Sequence, residues 1–334
     1  MKSVHQLNIL LVAEESAGIQ ALRVIKNSDH VLAGVLTKIP TSDFLEIDSG
    51  SGQIIAPNRY LSGTSLAAAA GKLGVPVLDS KLVVDPDFVS WMDSNKIDVL
   101  LNVHSLYRIC PEVIQASKLG AYNLHPGPLP AYSGLNAPSW AVYNEESSHA
   151  VSLHRITEEI DSGDIAYETR FPITSNDTGL SVSVMCAEKG LKLIEQLLKD
   201  LSQELVIIPS RPQDLSLRTF YKRNQVPGGG FIQWSQPAHK IDAFVRACNY
   251  APFPSPWGEP KTSLKNKEIS IFKTEISNEL CHVTPGTIGP EIGGKAAIST
   301  ADYWILVERC KVGGQFVPAV SILTDGDKLS SPGK

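Results

Sequence analysis

Short apolar runs alternate with amphipathic segments through the first third of the chain. The runs are rich in Val, Ile and Leu, which is typical of buried strands, and the segments between them place apolar residues at helical spacing. The predicted strands are Leu7–Ala13, His30–Leu36, Val75–Leu78 and Asp98–Val103. The predicted helices between them are Gly18–Lys26, Ser65–Leu73 and Phe88–Ser94. This alternation predicts βαβ units on an open, mostly parallel sheet, which is a Rossmann-like α/β architecture.

A further predicted strand, Gly120–Leu124, leads directly into a segment that is neither helix nor strand interior. That segment, HPGPLPAYSG, is rich in Pro and Gly, which interrupt both kinds of element. We therefore expect a loop at the carboxyl end of the strand, where ligands usually bind in open α/β sheets. The other elements predicted for this domain are a helix at Ala137–Tyr143, strands at Ala150–Arg155 and Ile165–Phe171, and a helix at Ser181–Leu198.

The second part of the chain has a different pattern. Prolines at Pro209–Pro212 indicate a linker, and one more helix is predicted at Ala238–Asn249. Short, regularly spaced β-like runs follow, which are typical of a small barrel. They are Glu268–Phe272, Thr287–Ile288, Ala296–Ser299, Trp304–Glu308 and Phe316–Ile322. The sequence thus predicts an α/β domain at 1–208, a linker with a connecting helix at 209–264, and a small OB-like β-barrel domain at 265–327.

Composition narrows the class of protein. Apolar residues make up 43% of the 334 residues and charged residues 19%, which are ordinary values for a chain that folds into globular domains. No apolar run approaches the roughly 18 residues that a membrane-spanning helix requires. The five cysteines are odd in number and never spaced as C-x-x-C, so neither a disulfide framework nor a zinc site is indicated. We expect a cytoplasmic protein that needs no metal and no membrane.

Charge argues against a nucleic-acid partner. The net charge is −5, and residues 1–210 contain 15 Lys and Arg against 24 Asp and Glu, whereas 211–334 contain 15 against 11. A nucleic-acid binder usually concentrates its basic residues in patches, but here they are scattered along the chain. The pattern therefore indicates an ordinary solvated surface.

Candidate chemistry is found where the strand Gly120–Leu124 ends. Asn123 and His125 are two residues apart, so on a strand both side chains point to the same face, and the turn EIDSGD could bring Asp161 beside them. An amide donor, an imidazole and a carboxylate are a suitable set for acyl transfer. Taken singly, each residue has a structural explanation, since Asn and Asp are common turn formers and most histidines are structural.

The combination closely resembles one known family. The segments NLHPGPLPAYSGLNAPSWA and HAVSLHRITEEIDSGDIAYETRFPIT are similar to the motifs of the folate-dependent formyltransferase superfamily, which include Asn-x-His-Pro and a later Asp-x-Gly turn. The resemblance places Asn123, His125 and Asp161 on the catalytic positions. It extends through FIQWSQPAHKIDAFVRACNYAPFPSPWGEP, TPGTIG and ADYWILVERC, which implies a two-domain layout like that of methionyl-tRNA formyltransferase. We expect Trp234 and Trp257 of that part to serve packing.

The resemblance also implies a cosubstrate and a mechanism. The formyl donor would be 10-formyltetrahydrofolate, with no metal, and an amine would attack the formyl carbon. Asn123 would hydrogen-bond the formyl oxygen, a protonated His125 would stabilise the oxyanion, and Asp161 would favour the imidazolium and receive the amine's proton. The loop in HSLYRICPEV looks like the one that holds the pteridine ring. The expected folate contacts are Leu106, Tyr107, Arg108, Ile109, Cys110, Ile160 and Asp164.

The sequence leaves the acceptor amine open. Residues 121–144 contain no Lys or Arg, and the long Thr37–Gly63 segment, either a functional flap or a disordered insertion, has only two basic residues against three acidic ones. A surface that grips tRNA should be basic there. The loops look more like those of formyltransferases from secondary metabolism, whose acceptors are amino acid derivatives, carrier-bound aminoacyl groups or amino sugars. The alternatives are a methionyl-tRNA formyltransferase, a 10-formyltetrahydrofolate hydrolase, and a catalytically idle folate-binding protein.

Overall fold

A computed structural model describes residues 5–39, 46–47, 54–55, 65–105, 107–203 and 206–331. Most of the predicted Thr37–Gly63 insertion, and the predicted folate contact Leu106, lie outside the described residues. The chain divides into two compact units. Unit 1 comprises Met1–Gly134, Ala150–Arg170 and Cys186–Phe220, and unit 2 comprises Leu135–His149, Phe171–Met185 and Tyr221–Lys334. The domain boundaries at 208 and 264 stay a prediction.

The strands are β1 (Asn8–Ala13), β2 (Val31–Thr37), β3 (Glu46–Ile47), β4 (Ile54–Ile55), β5 (Val77–Asp79), β6 (Val99–Val103), β7 (Gly120–His125), β8 (Ser133–Gly134), β9 (Ser148–Arg155), β10 (Ile165–Pro172), β11 (Phe220–Tyr221), β12 (Lys261–Leu264), β13 (Lys267–Leu280), β14 (Ile288–Ile292), β15 (Lys295–Ser299), β16 (Tyr303–Val312), β17 (Gln315–Pro318) and β18 (Leu329–Ser330). The helices are α1 (Glu15–Lys26), α2 (Leu66–Lys72), α3 (Val89–Ser94), α4 (Pro111–Gln115), α5 (Ala137–Tyr143), α6 (Gly179–Leu201) and α7 (Ala238–Ala247).

A mixed, mainly parallel sheet forms the framework of unit 1. Its strand order is β10-β9-β7-β6-β1-β2-β5-β4-β3, and β5, β2, β1, β6 and β7 run parallel. After β1, the chain adds β2 and β5 on one side of β1 and then crosses to β6 on the other side. Such a reversal opens a crevice at the carboxyl ends of the strands. The strands β1 and β6 are almost fully buried, which explains why they read as continuous apolar runs. The predicted Rossmann-like sheet is confirmed.

An antiparallel sheet dominates unit 2, in the order β14-β15-β16-β13-β12-β18, with β17 added at β16. A bridge between Thr287 and Lys328, with a hydrogen bond from Ile288 N to Asp327 O at 2.8 Å, joins the segments that enter the two outer strands. This pairing brings the outer strands together at one end, as a closed barrel requires. The predicted C-terminal β domain is confirmed and contains an antiparallel sheet, and its OB-like barrel class stays a prediction.

Several elements differ from the sequence-based expectation, and three of them are instructive. The strand β13 continues from Lys267 to Leu280, well past the predicted end at Phe272, because it pairs with β16 along that length while its second half is largely exposed and lacks a buried apolar face. The strand predicted to reach Ile322 ends at Pro318 and is followed by a 3-10 turn. The helix α4 was not predicted, since it has only five residues.

No helix among the described residues is long and apolar enough to cross a membrane.

A short hydrogen-bond chain fixes a buried tryptophan in unit 2. Trp234, which is 4% exposed, donates from Nε1 to Oγ1 of the fully buried Thr262 at 3.0 Å. The Thr262 hydroxyl in turn donates to the carbonyl of Ser330 at 3.0 Å, so it links β12 to β18. Both hydrogen bonds depend on the one hydroxyl group.

We predict that Thr262→Val lowers the free energy of unfolding by about 1–3 kcal/mol, because the isosteric side chain leaves a buried indole N–H without an acceptor. Urea unfolding followed by tryptophan fluorescence measures this. Thr262→Ser keeps the hydroxyl and should cost clearly less than the valine variant. A valine variant as stable as the serine variant would contradict the prediction, because the hydroxyl would then contribute no more than the methyl group.

Candidate active site

Three polar side chains form a row across neighbouring strands of unit 1. Asn102 on β6 is in register with Asn123 on β7, which is in register with His154 on β9. Asn102 donates from Nδ2 to Oδ1 of Asn123 at 2.8 Å, and Asn123 Nδ2 lies 3.0 Å from His154 Nε2. Because Asn123 receives a hydrogen bond at its oxygen, its amide nitrogen, with two N–H groups, is turned towards the site.

The third predicted residue, Asp161, approaches this row from the turn between β9 and β10. Its Oδ1 lies 3.4 Å from Asn123 Nδ2 and 3.5 Å from His154 Nε2, and its Oδ2 accepts from the amide of Gly134 at 2.8 Å. Asp161 has a left-handed backbone (φ 55°), which non-glycine residues rarely adopt. The side chain of Gln213 supports the turn by donating to the carbonyls of Asp161 and Gly163.

Gly163 fits this turn because there is no room for a side chain. A Cβ atom at this position would lie 2.0 Å from the carbonyl oxygen of Arg155, far inside van der Waals contact. The same carbonyl is 2.8 Å from His154 Nδ1, and the Arg155 amide donates to the carbonyl of Asp164. The close approach therefore ties the turn to the end of β9 and to the His154 ring.

His125 lies at the end of β7, buried, between two acceptors. Its Nε2 is 2.6 Å from the carbonyl of Tyr132, and its Nδ1 is 3.5 Å from Asp161 Oδ2. A carbonyl only accepts, so Nε2 bears a hydrogen. The structure thus brings Asn123, His125 and Asp161 together, as the sequence predicted.

The charge of Asp161 is strongly stabilised in the folded protein. Burial by itself would raise the pKa of this carboxyl, but the charge of His125, the hydrogen bond and charge of His154, and the amide of Gly134 together lower the pKa well below its usual range. Because the pKa is lower in the folded state, the ionised carboxylate stabilises the fold at neutral pH. That contribution is lost as the pH falls through the folded-state pKa.

His154 is held in place by its neighbours. Its Nδ1 faces the carbonyl of Arg155, which only accepts, so Nδ1 bears a hydrogen. Its Nε2 lies between the amide nitrogen of Asn123 and the carboxylate of Asp161. His154 is 2% exposed and orients both Asn123 and Asp161.

An open cavity of about 370 Å³ includes part of the turn that bears Asp161. It is lined by Arg108, Glu158, Glu159, Ile160, Arg218 and Phe220. Arg218 donates to the carbonyl of Ile160 at 2.6 Å, pairs with Glu159, and lies 5.1 Å from the ring centroid of Phe220. Arg108 donates to the carbonyl of Glu158 at 2.6 Å. Two of the predicted folate contacts, Arg108 and Ile160, thus line one cavity.

The other predicted folate contacts have different surroundings. Ile109 is 5% exposed and belongs to the apolar core beneath the sheet, and Tyr107 packs against that core. The amide of Cys110 donates to the carbonyl of Val83 at 2.9 Å, so it is not free for a ligand. The carboxylate of Asp164 accepts a hydrogen bond from the hydroxyl of Ser210. Folate contacts at these positions stay a prediction.

Sequence reasoning missed three polar residues of the site, Asn102, His154 and His104. Asn102 and His154 touch Asn123 only because neighbouring strands align, and this lateral register is not visible in a local pattern. A signal was nevertheless present: Asn102 interrupts the apolar run VLLNV and His154 the run AVSLH. Polar residues in otherwise buried strands require buried partners.

The arrangement is chemically suited to stabilise a negative oxygen. An amide nitrogen and an imidazole stand at the carboxyl end of the sheet, and the buried carboxylate of Asp161 lies 3.5 Å from the imidazole of His125. Among the described residues, no group of three His, Cys, Asp or Glu side chains is placed to hold a metal ion. The amide, the imidazole and the carboxylate together match acyl-type transfer.

The chain belongs to the formyl transferase family. The family's formyl transferase model matches residues 9–198, and its C-terminal domain model matches residues 227–325. The site lies within the first match, and the resemblance noted in the sequence is confirmed. The chain is therefore a formyltransferase, that is, an enzyme that transfers a one-carbon group.

Solved structures with the same fold include enzymes that act on sugars. WlaRD, a sugar 3N-formyl transferase crystallised with dTDP and 5-N-formyl-tetrahydrofolate, is 17% identical, with 91% of this chain and 97% of WlaRD covered and a TM-score of 0.62. An N-formyltransferase from Helicobacter canadensis, in complex with folinic acid and dTDP-3-aminofucose, is 19% identical, with 90% and 99% covered and a TM-score of 0.63. HypX from Aquifex aeolicus, in complex with tetrahydrofolic acid, is 18% identical, and the match covers 96% of this chain but 47% of HypX, with a TM-score of 0.56.

We predict that Gly163→Ala destabilises the protein by about 1–3 kcal/mol and displaces the Asp161 turn, because the new methyl group pushes against the Arg155 carbonyl. Urea unfolding measures the loss, and formyl transfer measured on the same sample should fall at least tenfold. Gly71→Ala is the matched control, since the added Cβ meets nothing within 4 Å in a helix that favours alanine. If Gly163→Ala behaves like Gly71→Ala, the close approach at Arg155 is not required.

Proposed function

We propose that the protein transfers the formyl group of 10-formyltetrahydrofolate to the primary amine of a small or carrier-bound acceptor, with an amino sugar as the first candidate. The observation that supports this most is the convergence of Asn123, His125 and Asp161 within 3.5 Å contacts at the end of the sheet. The family's reaction passes through a tetrahedral oxyanion, and these three side chains supply the charge and the N–H groups that such an oxyanion needs.

Each residue has a distinct part in the proposed reaction. The N–H of Asn123 Nδ2 that makes the long 3.4 Å contact with Asp161 turns to the formyl oxygen as negative charge develops there. His125, as an imidazolium held between Tyr132 and Asp161, adds positive charge beside that oxygen. Because its pKa is strongly lowered, Asp161 stays ionised and stabilises the imidazolium throughout the reaction.

The folate ring is proposed to enter the cavity beside the Asp161 turn. The cavity combines an aromatic side chain, Phe220, with two guanidinium groups, Arg108 and Arg218, and its volume is within the range of small-molecule sites. The aromatic ring and the planar guanidinium groups suit a heteroaromatic ligand. The structural neighbours crystallised with 5-N-formyl-tetrahydrofolate, folinic acid or tetrahydrofolic acid support the same cosubstrate.

The proposed acceptor follows from charge and from the neighbours together. The neighbour from Helicobacter canadensis binds dTDP-3-aminofucose, and WlaRD was crystallised with dTDP. Residues 121–144 comprise most of β7, the loop after it and α5, and they contain no Lys or Arg. They therefore offer none of the basic phosphate contacts that tRNA requires. A small acceptor, used in the cytoplasm, is the proposal that fits both observations.

The decisive experiment incubates the purified enzyme with 10-formyltetrahydrofolate and pools of amines, and follows tetrahydrofolate release and formylated products by mass. Amino-sugar nucleotides, amino acid derivatives and carrier-bound aminoacyl groups form separate pools. A formylated amino sugar is the expected product. Tetrahydrofolate release that needs no amine would indicate a hydrolase, and folate binding without turnover would indicate an idle binding protein.

We predict that Asn123→Ala, His125→Ala and Asp161→Ala each lower kcat by about 10²–10³-fold while the fold persists, because each removes part of one oxyanion-stabilising unit. Since the residues act together, the triple variant should be little worse than the worst single variant. Asn176→Ala and His282→Ala, at exposed positions of unit 2, are the controls. A His125→Ala enzyme as fast as wild type would contradict the assignment.

We also predict that methionyl-tRNA is a poor acceptor and that activity changes little between about 50 and 200 mM salt, because few phosphate contacts are available to lose counterions. Initial rates with methionyl-tRNA and with the best small amine, across that salt range, provide the comparison. Efficient formylation of methionyl-tRNA that falls steeply with salt would favour the tRNA enzyme instead.

A further inference from the structure

A second imidazole, His104, stands at the same end of the sheet as His125. Asn102 and Val103 of β6 are in register with Asn123 and Leu124 of β7, so the Asn-x-His sequence occurs twice, side by side. His104 follows Val103, the last residue of β6, just as His125 follows Leu124 on β7. The register of β6 and β7 therefore places His104 beside His125, and the charge of His125 acts on His104.

The backbone and surroundings of His104 are unusual for a structural residue. Its φ is 59°, in the left-handed region, where a non-glycine residue is strained by about 1–3 kcal/mol, and such strain concentrates at functional sites. The residue is only partly buried. No hydrogen bond joins its ring to any residue that the structure describes, whereas His125 and His154 are both held by several partners.

The other two imidazoles cannot take a proton from a substrate. His125 directs Nε2 at the Tyr132 carbonyl and Nδ1 at the Asp161 carboxylate, and both are acceptors. The Nε2 of His154 is already enclosed by the amide of Asn123 and the carboxylate of Asp161. Both carboxylate oxygens of Asp161 already accept hydrogen bonds, Oδ1 from Asn123 and Oδ2 from the amide of Gly134. Among the residues that the structure describes, none forms a hydrogen bond with the His104 ring, so its lone pair is available for a substrate.

We propose that His104 is a second catalytic imidazole, which accepts a proton from the acceptor amine during attack and returns it to N10 of the folate. The inference rests on the proposed formyl transfer and identifies the proton acceptor of that reaction. As the amine lone pair bonds to the formyl carbon, the C=O electron pair moves to oxygen and one amine proton moves to His104. When the carbon–N10 bond breaks, N10 receives that proton, which yields the formamide and tetrahydrofolate without any further reactant.

The electrostatics suit such a shuttle. Burial and the neighbouring charge of His125 lower the pKa of His104 to about 4, so at neutral pH the ring is neutral and ready to accept. The oxyanion that forms during attack adds negative charge close by, which favours the protonated ring at that moment. Loss of that charge, when the carbonyl re-forms, favours transfer of the proton onward.

His104→Gly is the central variant, because glycine tolerates the left-handed backbone and removes only the imidazole. We expect kcat to fall about 10²-fold, within the range for lost acid–base catalysis, while the affinity for 5-formyltetrahydrofolate measured by calorimetry changes less than about threefold. Added imidazole should restore part of kcat in proportion to its neutral fraction. His282→Gly, at an exposed position, is the matched control and should match wild type in both assays.

Three results would overturn the proposal: a His104→Gly variant with wild-type kcat, a loss of kcat that imidazole does not restore, or a parallel loss of folate affinity. A second measurement does not depend on turnover. The ¹⁵N signals of the His104 ring should show one unprotonated nitrogen down to about pH 5, and titration near pH 6.5 would also overturn the proposal. If the wild-type enzyme formylates no amine, the proposed function fails, and the ring signals still decide whether His104 is the free neutral imidazole.

Discussion

The buried charge of Asp161 is the interaction on which the rest of the site depends. A carboxylate that is 8% exposed survives inside a protein only when donors and positive charge surround it. Here they come from four places in the sequence: the amide of Gly134, the amide group of Asn123, and the rings of His125 and His154. The sheet, the loop after β7 and the turn after β9 must all be correctly placed to satisfy one side chain. Folding and site assembly are therefore a single process.

Much of this framework could be predicted from local sequence. Continuous apolar runs such as Val99–Val103 identify strands buried on both faces, and the Asn-x-His spacing on β7 predicts that both side chains point to the same side. The link between that strand and the distant Asp161 came from the family resemblance, because no local rule relates the two segments. The row of Asn102, Asn123 and His154 was missed, since it depends on which strands become neighbours and in what register.

The predicted folate loop shows a second limit of sequence reasoning. A resemblance assigns a run of residues to a ligand, but adjacent side chains in an irregular segment point in different directions. Ile109 turns into the core while Arg108 turns towards the cavity. Arg218 and Phe220, which form the other side of that cavity, lie about a hundred residues away in a stretch with no recognisable motif. Tertiary packing brings such distant residues to one cavity, and local composition does not predict it.

The interleaving of the two compact units has a consequence for how such enzymes can be recombined. Residues 135–149 and 171–185 pack with unit 2, although they lie between segments of unit 1. A chimera made by joining two relatives after residue 208 would split unit 2 between its parents and create unmatched packing inside it. Exchange of the C-terminal half would succeed only if those two short stretches were transplanted with it. The two family models match two continuous stretches of the chain, but the two compact units are not continuous in sequence. Exchanges between relatives should therefore follow the compact units.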